Sequence, residues 1–212
     1  MPLYPDILNE NCADISDWTD ADTSTGVSEV DPAGQFRFDT NGTANSYVVA
    51  KRYRTITSPP NQFTIETKTY FDAIGSYGDE DCATLHYYTE TWGFAVIFAS
   101  DGLFITKATN YTEVGTNIVK CNASAVLQTW RFQVDKSSGE DSATVEVFLD
   151  GVSQGTVDCD TQGAFTGYDG QIGYTQYGKT TTDRISHVDY IKVATGLGRI
   201  YSLSMSEFFQ LL

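Results

Sequence analysis

The chain of 212 residues carries 13 basic against 28 acidic side chains, a net charge of −15, so its average surface repels phosphate backbones and anionic headgroups and argues against nucleic-acid binding. Hydrophobic residues at 41% and aromatics at 13% exclude a disordered chain and suffice for one domain with a real core. No apolar run is long enough to span a bilayer, and the start, MPLYPDILNEN, has neither a basic n-region nor an apolar h-region, so neither membrane insertion nor a Sec signal peptide is expected.

Residues 1–33 read as an acidic loop region belonging to the domain, with Trp18 as its anchor and Asp14, Asp17, Asp20, Asp22, Glu29 and Asp31 around it. The run NCADISDWTDAD resembles a calcium loop at first sight. It lacks the glycine and terminal glutamate of EF-hand spacing, which favours a solvated loop. From Gly34 strands begin: Gln35–Thr40, a turn at Asn41-Gly42-Thr43, then Tyr47–Ile56, whose Lys51, Arg52 and Arg54 are split between faces by alternation and suit pairing with nearby acids. After the break at Ser58-Pro59-Pro60-Asn61, Gln62–Ala73 places Phe63, Ile65, Thr67, Thr69 and Phe71 on one face and Glu66, Lys68 and Tyr70 on the other.

A glycine-rich turn, 75–81, leads to strands Cys82–Glu90 and Trp92–Ser100, and Asp101-Gly102 turns the chain into Leu103–Ala108. Asn110–Cys121 is a weaker strand pair, and Val126–Asp135 returns to firm alternation with Trp130, Phe132 and Val134 inward. Ser142–Cys159 is the best-specified stretch. Val145, Val147 and Leu149 alternate with Thr144, Glu146 and Phe148, and Asp150-Gly151 supplies the positive-φ turn of a hairpin. Gly170–Tyr177 and Arg184–Ala194 complete the strands.

Strands at this spacing, with no long helical period, predict an all-β, two-sheet antiparallel sandwich over 34–197. The tail, 198–212, differs. Ser204 and Glu207 form a capping-box pattern before Phe208, Phe209, Leu211 and Leu212, which predicts a short amphipathic helix whose apolar face packs on the sandwich or contacts a neighbouring subunit.

The four cysteines, Cys12, Cys82, Cys121 and Cys159, have no zinc-site spacing; two disulfides in any of three connectivities, or buried free thiols, remain open. Asn41, Asn110 and Asn122 head Asn-x-Ser/Thr triplets, read as chance in a chain this rich in Ser and Thr.

Three segments together resemble the concanavalin A-like lectin/glucanase superfamily, including laminin-G-like jelly rolls: TWRFQVDKSSGEDSATVEVFLDGVSQGT, AVIFASDGLFIT and HVDYIKVAT. The resemblance covers residues 14–195 and implies a jelly-roll sandwich. NCADISDWTDADTSTGVSEV followed by GQFRFDTNG is similar, more loosely, to laminin-G-like proteins of marine tailed bacteriophages, where such domains decorate virions or tails.

Glycoside hydrolases of this superfamily carry paired carboxylates in E-x-D-x-E or E-x-D-x-x-E strands, which hold nucleophile and acid across a cleft. The chain has no such strand; Glu66, Asp72 and Glu90 are the nearest candidates, at the wrong spacings. An alginate-lyase-like site would need Gln-Ile-His, and Gln171-Ile172 is followed by Gly173. His86 and His187 lie on separate strands and read as satisfied or surface histidines. In calcium-containing members of the superfamily, the Asp of the closing strand coordinates a structural calcium with backbone carbonyls. Asp189 matches that Asp, with donors expected near Ala44 and Asn45 and in the N-terminal loop; the alternative is an Asp capping a turn.

A glycan platform is the other candidate site: His86 and Tyr88 share a face of one strand, Trp92 and Phe94 a face of the next, and Tyr174 and Tyr177 lie on or beside a later one. The sequence therefore predicts a non-catalytic surface or structural module, a decoration, fibre or adhesion component of a virion or similar extracellular assembly. Its expected partners are other subunits and a surface glycan, bound through His86, Tyr88, Trp92, Tyr174 and Tyr177; its only expected cofactor is structural calcium at Asp189. A dedicated lectin-like module is the first alternative and a glycan hydrolase or lyase with a non-standard site the second.

Overall fold

Period-2 alternation and turn chemistry build two antiparallel sheets that face each other. A computed structural model describes residues 3–42, 48–56, 59–107, 113–114, 126–163, 165, 170–179 and 181–201. The strands in chain order are β1 (Leu8–Glu10), β2 (Thr19–Asp20), β3 (Val27–Val30), β4 (Phe36–Asp39), β5 (Val48–Thr55), β6 (Gln62–Ala73), β7 (Ala83–Tyr88), β8 (Gly93–Ala99), β9 (Gly102–Lys107), β10 (Glu113–Val114), β11 (Gln128–Asp135), β12 (Thr144–Leu149), β13 (Val152–Asp158), β14 (Gln171–Gly178) and β15 (Ile185–Thr195). One sheet has the order β13-β12-β11-β6-β15-β4-β3, with β1 also paired to β15, and the other β10-β9-β8-β7-β14-β5-β2. The architecture is the two-sheet jelly-roll sandwich. Among the described residues no helix is long and apolar enough to cross a membrane. The predicted tail helix, with Phe208, Phe209, Leu211 and Leu212, lies outside them, as does Cys121.

The core is where the inward rows meet. Phe63, Ile65, Phe71, Trp130, Phe132, Val134, Val145 and Val147 come from the eight-stranded sheet, and Leu85, Tyr87, Phe94, Val96, Phe98, Ile172 and Tyr174 from the other. Aromatic edges interlock between the layers: Phe98 with Trp130 at 5.6 Å, Phe94 with Phe132 at 5.8 Å and Phe38 with Tyr174 at 4.8 Å between ring centroids. Such contacts add to the area term that dominates burial. The turn of the β12–β13 hairpin has Asp150 at φ 48° and Gly151 at φ 85°, the two positive values that a tight turn matched to strand twist requires.

The acidic N-terminal stretch, expected as a loop, contributes β1 and β3 to one sheet and β2 to the other. Its acids set this course by partnering the basic cluster of β5. Arg52 reaches Asp20 at 3.1 Å, and Arg54 reaches Glu10 at 3.3 Å. Trp18 is the buried anchor, its indole N–H donating to Glu10 Oε2 at 3.0 Å and its ring meeting Phe36 edge-on. Cys12, Cys82 and Cys159 are buried free thiols. Burial pushes the Cys82 thiol up to about 12, with Asp81 and Asp101 adding to the effect, so it stays protonated.

Candidate functional site

The outer face of the seven-stranded sheet carries a groove of about 530 Å³. Its floor follows from strand alternation: while Ala83, Leu85 and Tyr87 of β7 fill the core, Thr84, His86 and Tyr88 turn outward, and Ala95 and Ile97 of β8 do the same beside them. Thr106 of β9 closes the floor, its hydroxyl exchanging hydrogen bonds with the backbone of Ala95 at 3.1 and 3.3 Å. Tyr177 of β14 packs with Phe104 against Cys82, Ile97 and Ala99. Tyr77, on the loop preceding β7, stands against Phe104 at 5.4 Å and is 37% exposed, forming one wall with Glu80 near it.

That loop is held from below. Gly75 N–H donates to the Asp81 carbonyl at 2.7 Å, and the wholly buried Asp81 carboxylate takes Arg184 at 2.8 Å and the Lys179 N–H at 2.7 Å. The result is a trough with three tyrosines, a floor of Ala95 and Ile97 flanked by Thr84 and Thr106, and at its lip the Glu80 carboxylate, paired with Lys179 at 3.0 Å. Flat CH-rich sugar faces stack on such rings, and Glu80 and Thr84 can take hydroxyl hydrogen bonds.

His86 is stacked on Tyr88 at 4.2 Å, with Phe165 stacked on Tyr88 in turn at 5.8 Å. Although on the outer face, His86 is only 1% exposed, and neither ring nitrogen has a hydrogen-bond partner among the described residues. Burial, reinforced by nearby Lys51, pushes its imidazole well below its ordinary value, so it is neutral. This differs from the satisfied or surface histidine expected. His187 meets that expectation, with Nδ1 at 2.9 Å from Asp31, Nε2 at 3.1 Å from Asp72 and its ring stacked on Tyr70.

Of the aromatic candidates, the structure brings His86, Tyr88 and Tyr177 to the outer face. Trp92 and Tyr174 are corrections: both are 0% exposed and point into the core, Trp92 against Phe63 and Phe94, Tyr174 against Phe38. The physical reason is register. Trp92 shares its row with Phe94, and Phe94 is core; Tyr174 shares its row with Ile172. Tyr77, Phe104 and Glu80 were missed; the glycine-rich turn 75–81 was the signal that a loop overhangs this face.

The carboxylates do not converge. Glu66 and Asp72 lie on β6 of the eight-stranded sheet, Asp72 engaged by His187, while Glu90 follows β7 of the other sheet. Asp189, the calcium candidate, sits at a bulge in β15. Its Oδ1 accepts from the Gln35 amide at 3.2 Å and its Oδ2 stands 3.3 Å from Lys68 Nζ. An ammonium beside the carboxylate opposes a second cation, and the described residues include no group of three or more His, Cys, Asp or Glu that could hold a metal ion. Ala44 and Asn45, near which the carbonyl donors are expected, lie outside the described residues.

Sheet order and inward rows define a two-sheet antiparallel jelly-roll sandwich. No family model matches the sequence, and no curated protein matches it. Solved structures do. The endo-β-1,4-glucuronan lyase of the fungus Trichoderma reesei superposes with a TM-score of 0.64 at 9% identity, over 89% of this chain and 94% of that one. A conserved carbohydrate esterase of the Shiga toxin-encoding bacteriophage phi24B gives 0.57 at 14% identity, over 90% and 98%. Peanut lectin gives 0.55 at 12% identity, over 91% and 98%. These likenesses show the fold, which enzymes and lectins share.

Proposed function

We propose that this chain is a non-catalytic surface module that binds glycan in the groove of its seven-stranded sheet, displayed on a virion or similar extracellular assembly. The groove carries the reading: Tyr77, Tyr88 and Tyr177 rim a trough of about 530 Å³ whose floor mixes Ala95 and Ile97 with Thr84 and Thr106 and whose lip bears Glu80. That combination stacks and orients a saccharide without needing a reacting group. The separation of Glu66, Asp72 and Glu90 supports the non-catalytic part of the reading. Placement on a virion is supported by the acidic surface, the resemblance of the N-terminal stretch to phage proteins and the occurrence of the same fold in a bacteriophage esterase.

The experiment is a glycan array with the intact chain, followed by titration of each hit with Tyr88→Ala and Tyr177→Ala. Saturable binding lost in both folded variants is the expected result. Binding unchanged in both, no binding to any glycan, or cleavage of a bound glycan rejects it. A specific observation also keeps an enzymatic alternative in view: His86 is neutral, has no hydrogen-bond partner among the described residues and stacks on Tyr88 of the groove, so product analysis belongs in the same experiment.

A further inference from the structure

The eight-stranded sheet has a second cleft, of about 430 Å³, on its outer face. Alternation puts Glu66 of β6, Arg131 of β11 and Lys192 of β15 side by side, since Glu66 is the cross-strand neighbour of both cations. Arg199 and Tyr201 arrive from the segment after β15, which is pinned by the Tyr201 N–H donating to the Leu3 carbonyl at 2.8 Å. In a protein with 13 basic and 28 acidic residues, three cations here share one opening.

Each of these cations lies over a ring, while Glu66 acts on all three electrostatically without pairing directly. Arg131 lies 3.9 Å over Phe148, Lys192 3.9 Å over Tyr190, and Arg199 5.2 Å over Tyr201. None of the three has a carboxylate within 4.0 Å among the described residues. Arg131 is only 9% exposed, and its Nε has no hydrogen-bond partner among the described residues. A guanidinium enclosed in this way is poorly hydrated, so an anion reaching it from the cleft would gain a charge-assisted hydrogen bond. Glu66 already has a partner, the Tyr190 hydroxyl donating to it at 3.1 Å.

We propose that this cleft binds the carboxylate of an acidic sugar residue, a uronate or a sialate. The charge sets the class: three cations against Glu66 and Asp150 leave one positive charge in excess, which matches a monoanion better than a phosphate carrying close to two. Tyr201, 42% exposed at the rim, offers the pyranose ring a face, while Glu66 and Asp150 accept its hydroxyls. The volume lies in the range of small-ligand pockets. This site is on the opposite sheet from the groove and does not rest on it.

The test is an NMR titration of the intact chain with the methyl glycosides of glucuronic and N-acetylneuraminic acid, beside methyl glucoside, acetate and inorganic phosphate. At least one sugar acid binds saturably and more weakly at high salt, and methyl glucoside does not bind. Lys192→Gln, at a half-buried position, and Arg199→Gln, at an exposed one, each weaken it about tenfold, roughly 1.4 kcal/mol. Tyr88→Ala leaves it unchanged, which separates this site from the groove. Failure of both sugar acids to bind, binding that survives the Lys192→Gln/Arg199→Gln double variant, or equal affinity for acetate or phosphate overturns the proposal.

Discussion

His86 lies over Gly173: a Cβ on that glycine would stand 2.4 Å from His86 Nε2 and 2.6 Å from Cε1. The two residues are cross-strand partners on β7 and β14, so the imidazole occupies the space that a side chain at 173 would take. Gly173→Ala must push the ring into Tyr88, which is itself backed by Phe165. Overpacking of this kind costs about 1–3 kcal/mol. The variant is expected to melt several degrees lower and, while folded, to lose glycan affinity through displacement of Tyr88. A melting curve and an array hit titrated on the same sample check both.

The neutrality of His86 makes stability depend on pH in a definite direction. Burial and Lys51 hold its folded value well below 6.5, whereas the unfolded chain titrates near 6.5. Below that value the unfolded state binds the extra proton, so the stability is present at higher pH and is lost as pH falls from about 6.5 toward the folded value. The loss approaches about 1.4 kcal/mol per pH unit for one such group. Urea unfolding between neutral pH and pH 5 is expected to show this slope in the native chain and a flatter one in His86→Gln; equal slopes would reject the assignment.

The hairpin and β6 were legible because alternation and an Asp-Gly turn decide them locally: β6 runs Gln62–Ala73 as the pattern predicts, and Trp130, Phe132 and Val134 point inward. The groove was only half legible. Period-2 reading says which residues share a row, not which row is core, and that choice depends on the opposing sheet. Hence Tyr88 and Tyr177 fall outside while Trp92 and Tyr174 fall inside. The N-terminal strands were hidden because they are short and acidic, and their course is set by long-range pairing of Glu10 and Asp20 with Arg54 and Arg52.

That division of rows separates two kinds of variant. Trp92→Ala and Tyr174→Ala each empty a fully enclosed site and are expected to cost about 3–5 kcal/mol. Tyr88→Ala and Tyr177→Ala, on the groove, are expected to cost less stability and remove more binding. Denaturant midpoints measured beside glycan titrations distinguish the pairs, and a stable Trp92→Ala that loses binding would return that ring to the site.

Asp81 links the sandwich to its groove. Its carboxylate is fully buried, paired with Arg184 at 2.8 Å and accepting the Lys179 N–H at 2.7 Å, while its backbone closes the loop that carries Tyr77 and Glu80. Asp81→Ala leaves the Arg184 guanidinium, whose side chain is 16% exposed, without that counter-charge, a class of change that costs about 3–5 kcal/mol. Asp81→Asn keeps the shape and the acceptor for Lys179 but removes the charge, so it is expected to fall between the native chain and Asp81→Ala in stability. Because the loop forms one wall of the groove, hydrogen exchange over 75–81 should quicken in both variants before the β6 and β11 amides respond. Uniform exchange across all these segments would show instead that Asp81 supports the whole sandwich rather than the groove loop.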